Sequence, residues 1–590
     1  VNEELIKRKP AQLRYTMPVG RRPFNSCHSP KASGGGVFLK SEHLPYFRPD
    51  FVKKSNQTLL NKTAVPILQV GGKTLTLDDF YQVIFNSATI APDEQALQKV
   101  EASFNFLGNF SSNKLIYGIN TGFGPMAQYK VSDENRLQLQ YNLIRSHASG
   151  GGSLMRPQLV KALMLARLNS FMQAHSGVHP ELVNLLAELI NKNVTPCIFE
   201  HGGVGASGDL VQLAHLALVL IGEGEVIYNE KVQPTASVFE QLNIKPLQIH
   251  IREGLAIING TSAMTGIGLL NIIRAKKLLG WSVMLSAMIN EVVGAFDDHY
   301  SHELNRVKHH KGQNAIATQL REILKDSQMT RSRSEHLYNP ENIDQEVFED
   351  KVQEYYSLRC VTQILGPVYD TIAQAEHVVV DELNSVNDNP VIDHESHNIF
   401  HGGNFHGDYV SLEMDKLKIA VTRLSMLSER QLNYLLNDKL NQKFPPFLNL
   451  GVLGFNFGMQ GMQFTATSTV AENQTLSYPM YVHSIPNNND NQDIVSMGCN
   501  AALLTKKVID NSFEVLAIQA MTLLQAVDYL DCANKLSTQT NKVYTGLRAI
   551  FPTFIEDKPK YQDLQQVKAY FETAEIFPEF IKPFNTKNII

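Results

Sequence analysis

Cysteine is scarce in this chain: five in 590 residues, Cys27, Cys197, Cys360, Cys499 and Cys532, and no two in a CxxC spacing. That excludes a disulfide framework, offers no zinc-ligand pattern, so no metal is expected, and suits a reducing cytoplasm. A surplus of either charge is missing too. Lys and Arg number 53 against 58 Asp and Glu, a net charge of −5, so neither nucleic acid nor a membrane surface is expected as a partner. Small molecules and further copies of the chain are expected instead. Prolines number 25, and few linker-like tracts follow residue 70, which favours one large helical body over a string of domains. The longest charge-free run, residues 254–273, has the length of a membrane span. It reads GLAIINGTSAMTGIGLLNII, and its glycines and hydroxyls mark it instead as a buried segment that carries site residues.

Residues 1–60 differ from the rest. Eleven Lys or Arg stand against four Asp or Glu, with six prolines and the run Ser33 to Gly36, which predicts a basic, flexible or docking extension. Glu3 and Glu4 spoil a transit-peptide pattern, and no apolar core of a secretory signal is present. The folded part is expected to open with a hairpin, VPILQV and KTLTL around Gly71-Gly72. A helix capped by Thr76, with Asp79 three residues on, should follow. Helical apolar spacing then runs through 155–192, 262–297, 350–384, 407–440 and 500–531, as in Met414, Leu417, Val421 and Leu424. Only GEGEVIYNEKVQPT, near 222–235, suggests another strand pair. Helices of this length with apolar residues on more than one face predict a bundle, and one shared between chains.

The densest local signal is HGGVGASGDLVQLAHLALVL at 201–220. Glycines at 202, 203, 205 and 208 permit positive φ and a bend tight enough to bring a backbone amide onto a neighbouring carbonyl. Gly203, Gly205 and Gly208 spell GxGxxG, but a dinucleotide site needs a strand ahead, a βαβ unit and an acid about 20 residues on. TPCIF is a poor strand, and Glu223 and Glu225 come early. A nucleophile elbow at Ser207 fails because Asp209 stands where GxSxG needs glycine. What remains from the residues themselves is a tight loop with Ser207 and Asp209 as helix caps, with Ala206, Ser207 and Gly208 as a triad at its bend.

The other loops are rich in Gly, Asn, Tyr and Gln: YGINTGFG at 117–124, NGTS at 259–262, KGQ at 311–313, YYSLRC at 355–360, NDNP at 387–390, GGNFHGD at 402–408 and PNNNDNQD at 486–493. Such connections on a rigid scaffold are where chemistry is expected. Together with the triad they resemble, motif by motif over roughly residues 70–550, the ammonia-lyases and aminomutases of aromatic amino acids that depend on methylidene-imidazolone (MIO). The resemblance implies a mainly α fold, a long-helix bundle of the fumarase/aspartase-like type with a small N-terminal α+β part carrying active-site loops. It divides the chain into 61–250 with the Tyr loop and triad, a central bundle at 251–550, and a tail at 551–590. It also implies a homotetramer with active sites built from several subunits.

The family eliminates ammonia from an α-amino acid, although the β-proton is weakly acidic and an amine leaves poorly. By resemblance, the Gly208 nitrogen attacks the Ala206 carbonyl and Ser207 loses water. The MIO so formed without metal or nucleotide is the electrophile that takes up the amino group. Tyr117 matches the family base, and a phenol needs surroundings that favour its anion before it can serve. Arg359 matches the carboxylate-binding arginine, a planar bidentate donor, with Tyr356 one turn before it. Asn259 and Gln313 match polar residues near the ring and substrate, Phe405 an aromatic that shields the ring, and Glu472 and Gln492 complete the polar set.

Substrate preference in the family follows the pair that is here Ser146-His147. Ser-His is frequent in histidine lyases, His-Leu in tyrosine lyases and Phe-Leu in phenylalanine lyases. Against that pair, YVHSIPNNNDNQD, with His483 and Asn491-Gln492-Asp493, replaces the VDSIP-like and QED-type text of histidine lyases. The wider sequence resembles bacterial tyrosine ammonia-lyases, some of which also carry Ser-His, and a neutral His147 can hydrogen-bond a phenol as well as an imidazole. The expected activity is tyrosine to p-coumarate. Histidine deamination to urocanate and a tyrosine aminomutase returning the amine to the β-carbon are the alternatives, with a silent helical scaffold as the reading from another class.

Overall fold

Two long helices, Ser262–Val293 and Gly498–Leu530, run through the centre, and their composition explains why. All but Arg274, Lys277 and Val293 of the first are buried, so it is apolar on every face, as a helix surrounded by others must be. Asp408–Leu436, Val361–Leu383, Lys311–Leu324 and Gln460–Leu476 pack around this pair. The computed structural model describes residues 67–574, apart from 113, 339–345 and 348–350. All of these lie in one compact unit. The 1–60 extension, with Cys27, and the chain after 574 lie outside the described residues.

Several polar side chains inside the bundle are matched to one another. Gln431 Nε2 donates to Ser286 Oγ at 3.0 Å and Gln519 Nε2 to Gln431 Oε1 at 2.6 Å, which ties three helices at one level. Asn271 Nδ2 reaches the Ala502 carbonyl at 2.7 Å. Lys276 and Glu376 form a buried ion pair, an arrangement worth keeping only while both partners are present. Gly498–Leu530 is long and apolar enough to cross a membrane, yet 78% of its apolar window is buried inside the bundle, as befits a core helix.

The strands are few and short. Ile67–Val70 pairs parallel with Thr89–Pro92, not with KTLTL, so the expected hairpin at Gly71-Gly72 does not form. The intervening chain instead makes the helix Leu77–Phe85, with the expected capping box of Thr76 and Asp79 at its start. The strand pair in GEGEVIYNEKVQPT is present as Glu225–Tyr228 and Lys231–Pro234, with Thr195–Pro196 beside it. Gly151–Leu154 with Phe199–His201, and Val391–Asp393 with Asn398–Phe400, are two further antiparallel pairs. The run 155–192 divides into Pro157–Met172 and Pro180–Asn191, and 350–384 divides at Cys360. The first break follows from Gly177, whose φ is +62°, and from Pro180, which can open a helix but not continue one.

Candidate active site

Residues 206–208 lie where the bend after Phe199–His201 meets the helix Leu210–Leu220. Phe199–His201 pairs antiparallel with Gly151–Leu154, so the glycines stand in no parallel βαβ unit and the dinucleotide reading falls. The helix-cap reading falls as well. Asp209 holds the N-cap position of Leu210–Leu220, but its side chain makes no cap hydrogen bond there; its carboxyl group accepts the Met264 N–H at 2.8 Å, across the bend. Burial pushes that carboxyl up to about 7, against the Met264 and Ala263 amides that oppose the shift.

The triad is strapped to the Asn259-Gly260 turn. Asn259 Nδ2 and the Gly260 N–H both donate to the Ser207 carbonyl, each at 3.3 Å, and the Asp209 N–H donates to the Gly260 carbonyl at 2.7 Å. Gly208 holds φ at +75°, and a Cβ there would run into the Gly260 carbonyl, so only glycine fits. Gln492 Nε2 reaches Ser207 Oγ at 3.2 Å, and Ala206 packs on Val495 and Met497. Among the described residues no hydrogen bond engages the Gly208 N–H. A crowded, glycine-only bend with a free central amide fits residues 206–208 as the seat of an MIO ring.

Tyr117 is half-buried in its loop, with its hydroxyl oxygen accepting the Gly124 N–H at 3.1 Å and its ring edge-on to Phe123. Gln140, fully buried, fixes that loop. Its Nε2 donates to the Gly118 carbonyl at 3.1 Å and its Oε1 accepts the Leu255 N–H at 3.0 Å, which ties the loop to the helix Glu253–Ile258 that leads into Asn259. Nothing in the sequence singles out Gln140. Ser146 and His147 end the helix Arg136–His147. His147 Nδ1 lies 2.9 Å from both the Leu143 carbonyl and Ser146 Oγ, which leaves Nε2 as the ring nitrogen without a partner in the helix. Phe405 is half-buried in a loop whose Gly407 abuts Met264 and Ser496.

The remaining predicted residues do not join this group within one chain. Arg359 lies over the exposed Tyr356 ring at 4.8 Å and has no ion pair among the described residues. It lines a cavity of about 610 Å³ with Asp298, His299 and Arg333. Burial, with Arg333 and Arg359 nearby, pushes His299 down to about 4 despite Asp298, so the ring is neutral. Gln313 Nε2 donates to Asn305 Oδ1 at 3.0 Å at the same end. Asn290, near the C-terminus of Ser262–Val293, bonds the Leu358 carbonyl, whereas Met264, at its N-terminus, bonds Asp209. At 1.5 Å per residue those ends stand about 40 Å apart. Glu472 pairs with Asn511, part-way along Gly498–Leu530. The triad, Glu472 and Arg359 thus occupy three levels of one chain.

Elsewhere, His179, Glu181 and His250 offer ligand atoms within 4.8 Å of one another. His179 Nδ1 already caps the helix Pro180–Asn191, and the positive end of that helix opposes a cation.

The sequence model of the aromatic amino acid lyases matches residues 75–549. A tyrosine 2,3-aminomutase of Myxococcus sp. (strain Mx-B0) is 38% identical over 496 residues, 83% of this chain and 94% of that protein. A histidine ammonia-lyase of Shouchella clausii is 36% identical over 504 residues, 85% of this chain and 97% of the other. The crystal structure of tyrosine aminomutase from Streptomyces globisporus superimposes with a TM-score of 0.84 at 36% identity, covering 87% and 98% of the two chains.

Proposed function

The chain belongs to the aromatic amino acid lyase family of ammonia-lyases and aminomutases, and from that premise we propose that it eliminates ammonia from L-tyrosine to give trans-p-coumarate. The observation that carries the reading is the Ser207 carbonyl, held by two donors in a glycine-only bend with the Gly208 amide free. An MIO ring closed on Ala206, Ser207 and Gly208 supplies the electrophile for the amino group. Asn259 Nδ2 and the Gly260 N–H draw electron density from the Ser207 carbonyl and fix its orientation, an electrostatic contribution that costs no reorganisation during reaction. Tyr117 takes the β-proton, its oxygen held in place by the Gly124 N–H. Arg359 receives the substrate carboxylate as a bidentate donor.

His147 sets the far end of the pocket. With Nδ1 turned to the Leu143 carbonyl and Ser146 Oγ, its Nε2 is left to hydrogen-bond a phenol, and the departure of YVHSIPNNNDNQD from the text of histidine lyases supports tyrosine as substrate. The separation of the triad, Glu472 and Arg359 along the bundle supports a homotetramer in which different chains complete each site. Exposed Val452, Phe455, Phe457 and Phe464 offer the apolar surface for it. Conversion of the purified enzyme's L-tyrosine to p-coumarate tests the proposal, and no coumarate would refute it.

A second reading, tyrosine 2,3-aminomutation, is supported by the 38% identity to a tyrosine 2,3-aminomutase. It shares the elimination step and differs in returning the amine to the β-carbon, so the β-tyrosine to coumarate ratio decides between the two.

A further inference from the structure

We propose that Arg167 is the positioning residue for ring closure: its buried guanidinium clamps the Asn259-Gly260 turn and thereby holds Ser207 and Gly208 in the reactive bend. The inference rests on the reading that residues 206–208 cyclise.

Arg167 lies in the helix Pro157–Met172, fully buried between Ala166 and Leu168. A guanidinium in such a place is costly unless its donors are answered. Nη2 donates to the Asn259 carbonyl at 2.8 Å and also to the Ala256 carbonyl, while Nη1 donates to Asn387 Oδ1 at 3.0 Å. Its face lies on the Phe171 ring at 4.5 Å. Burial lowers the guanidinium to about 10, with Asp388 and Asp209 opposing that shift, so it stays charged at neutral pH.

Its three acceptors come from two segments, and both converge on Ser207. The Ala256 and Asn259 carbonyls end the helix Glu253–Ile258, where a cation is favoured. Asn387 belongs to the NDNP loop, whose Asn389 N–H donates to Asn259 Oδ1 at 2.8 Å. That bond turns the other side of the Asn259 amide, Nδ2, toward the Ser207 carbonyl. Arg167 thus fixes the Asn259 backbone directly and its side chain through the loop. A Cβ on Gly260 would strike both Arg167 Nη1 and Asn387 Oδ1, so the turn has no room to retreat from Gly208.

Held this way, the Gly208 nitrogen forms its bond to the Ala206 carbonyl carbon. The carbonyl oxygen leaves as water with the Gly208 and Ser207 amide protons. The Ser207 hydroxyl leaves as a second water with the Ser207 α-proton, and no oxidant is consumed. Preorganisation of this kind converts an improbable encounter into a local one.

The test is peptide mass across residues 206–208 against time after expression, with thermal midpoints from the same samples, for wild type, Arg167→Met, Arg167→Lys and Asn387→Ala. We expect wild type to lack two waters. Arg167→Met should cyclise at least about tenfold more slowly while folded, with Arg167→Lys between them because an ammonium cannot reach all three acceptors. Should Arg167→Met fail to fold, slow cyclisation in folded Arg167→Lys and Asn387→Ala carries the inference. A folded Arg167→Met, or in its absence both other variants, cyclising at the wild-type rate with only a lowered midpoint would make the role purely structural and overturn it. A wild-type chain of full mass would refute cyclisation itself.

Discussion

On the proposed reading, His147 concentrates the choice of substrate in one side chain. Its Nδ1 is occupied by the Leu143 carbonyl, so only Nε2 can serve the substrate. Replacing His147 by Phe leaves a tyrosine hydroxyl unpaired, which costs about 1–3 kcal/mol. The kcat/KM for tyrosine should fall about 10- to 100-fold with phenylalanine turnover retained, as steady-state kinetics on both substrates would show. Asp209 sets a pH dependence. Its carboxyl is raised by burial from 3.8 to about 7 in the fold, so the folded state binds the extra proton, and this contribution to stability is present below about pH 4 and lost as pH rises to 7. Chemical unfolding across that range should show a decline on the order of a few kcal/mol that Asp209→Asn flattens. Ser207, Asn259 and Gln492 are legible in the sequence because each sits in a distinctive polar loop, and the structure brings them together. Arg167 and Gln140 are not, because Arg167 is a cation in a mostly apolar helix and Gln140 is one of several polar residues in RLQLQYNLIRSH; only their partners from distant segments give them a role.

The elements themselves show how far periodicity carries. The long helices are legible because their apolar spacing is sustained, whereas the break at Cys360 is a single residue and leaves no mark in the sequence; the break at 173–179, QAHSGVH, is marked only by Gly177 and by Pro180 after it. The misplaced hairpin has a similar cause: Gly71-Gly72 signals a turn, but the partner strand Thr89–Pro92 lies beyond a helix, and a parallel pairing at that distance has no local signature. At this scale the helix Tyr561–Thr573 is anchored by Trp281, which stacks on Phe571 at 3.9 Å and donates from Nε1 to its carbonyl at 3.0 Å. Trp281→Ala should destabilise by about 3–5 kcal/mol. Hydrogen exchange should show protection lost first in Tyr561–Thr573, before the central helices. Gly208→Ala acts on the bend: the methyl meets the Gly260 carbonyl at a φ of +75°. A folded protein that keeps both waters is the expected result by peptide mass.

In the whole molecule, about 40 Å of helix separates the triad from Arg359, so on the proposed reading a single chain is an incomplete catalyst. Ser207→Ala and Arg359→Met should each be inactive alone. Coexpressed, they should recover roughly a quarter of wild-type activity, the share of sites that draw each residue from an intact chain. No recovery in mixed oligomers would mean that both residues serve from one chain. The sequence carries this level only through the family resemblance, since spacing along a chain does not say which copies meet.

Parallel incubation of the purified protein with L-tyrosine, L-histidine and L-phenylalanine, with products separated by chromatography and followed by ultraviolet absorbance, tests the central claim most directly. The account predicts p-coumarate from tyrosine as the dominant product; urocanate from histidine with no coumarate would contradict it.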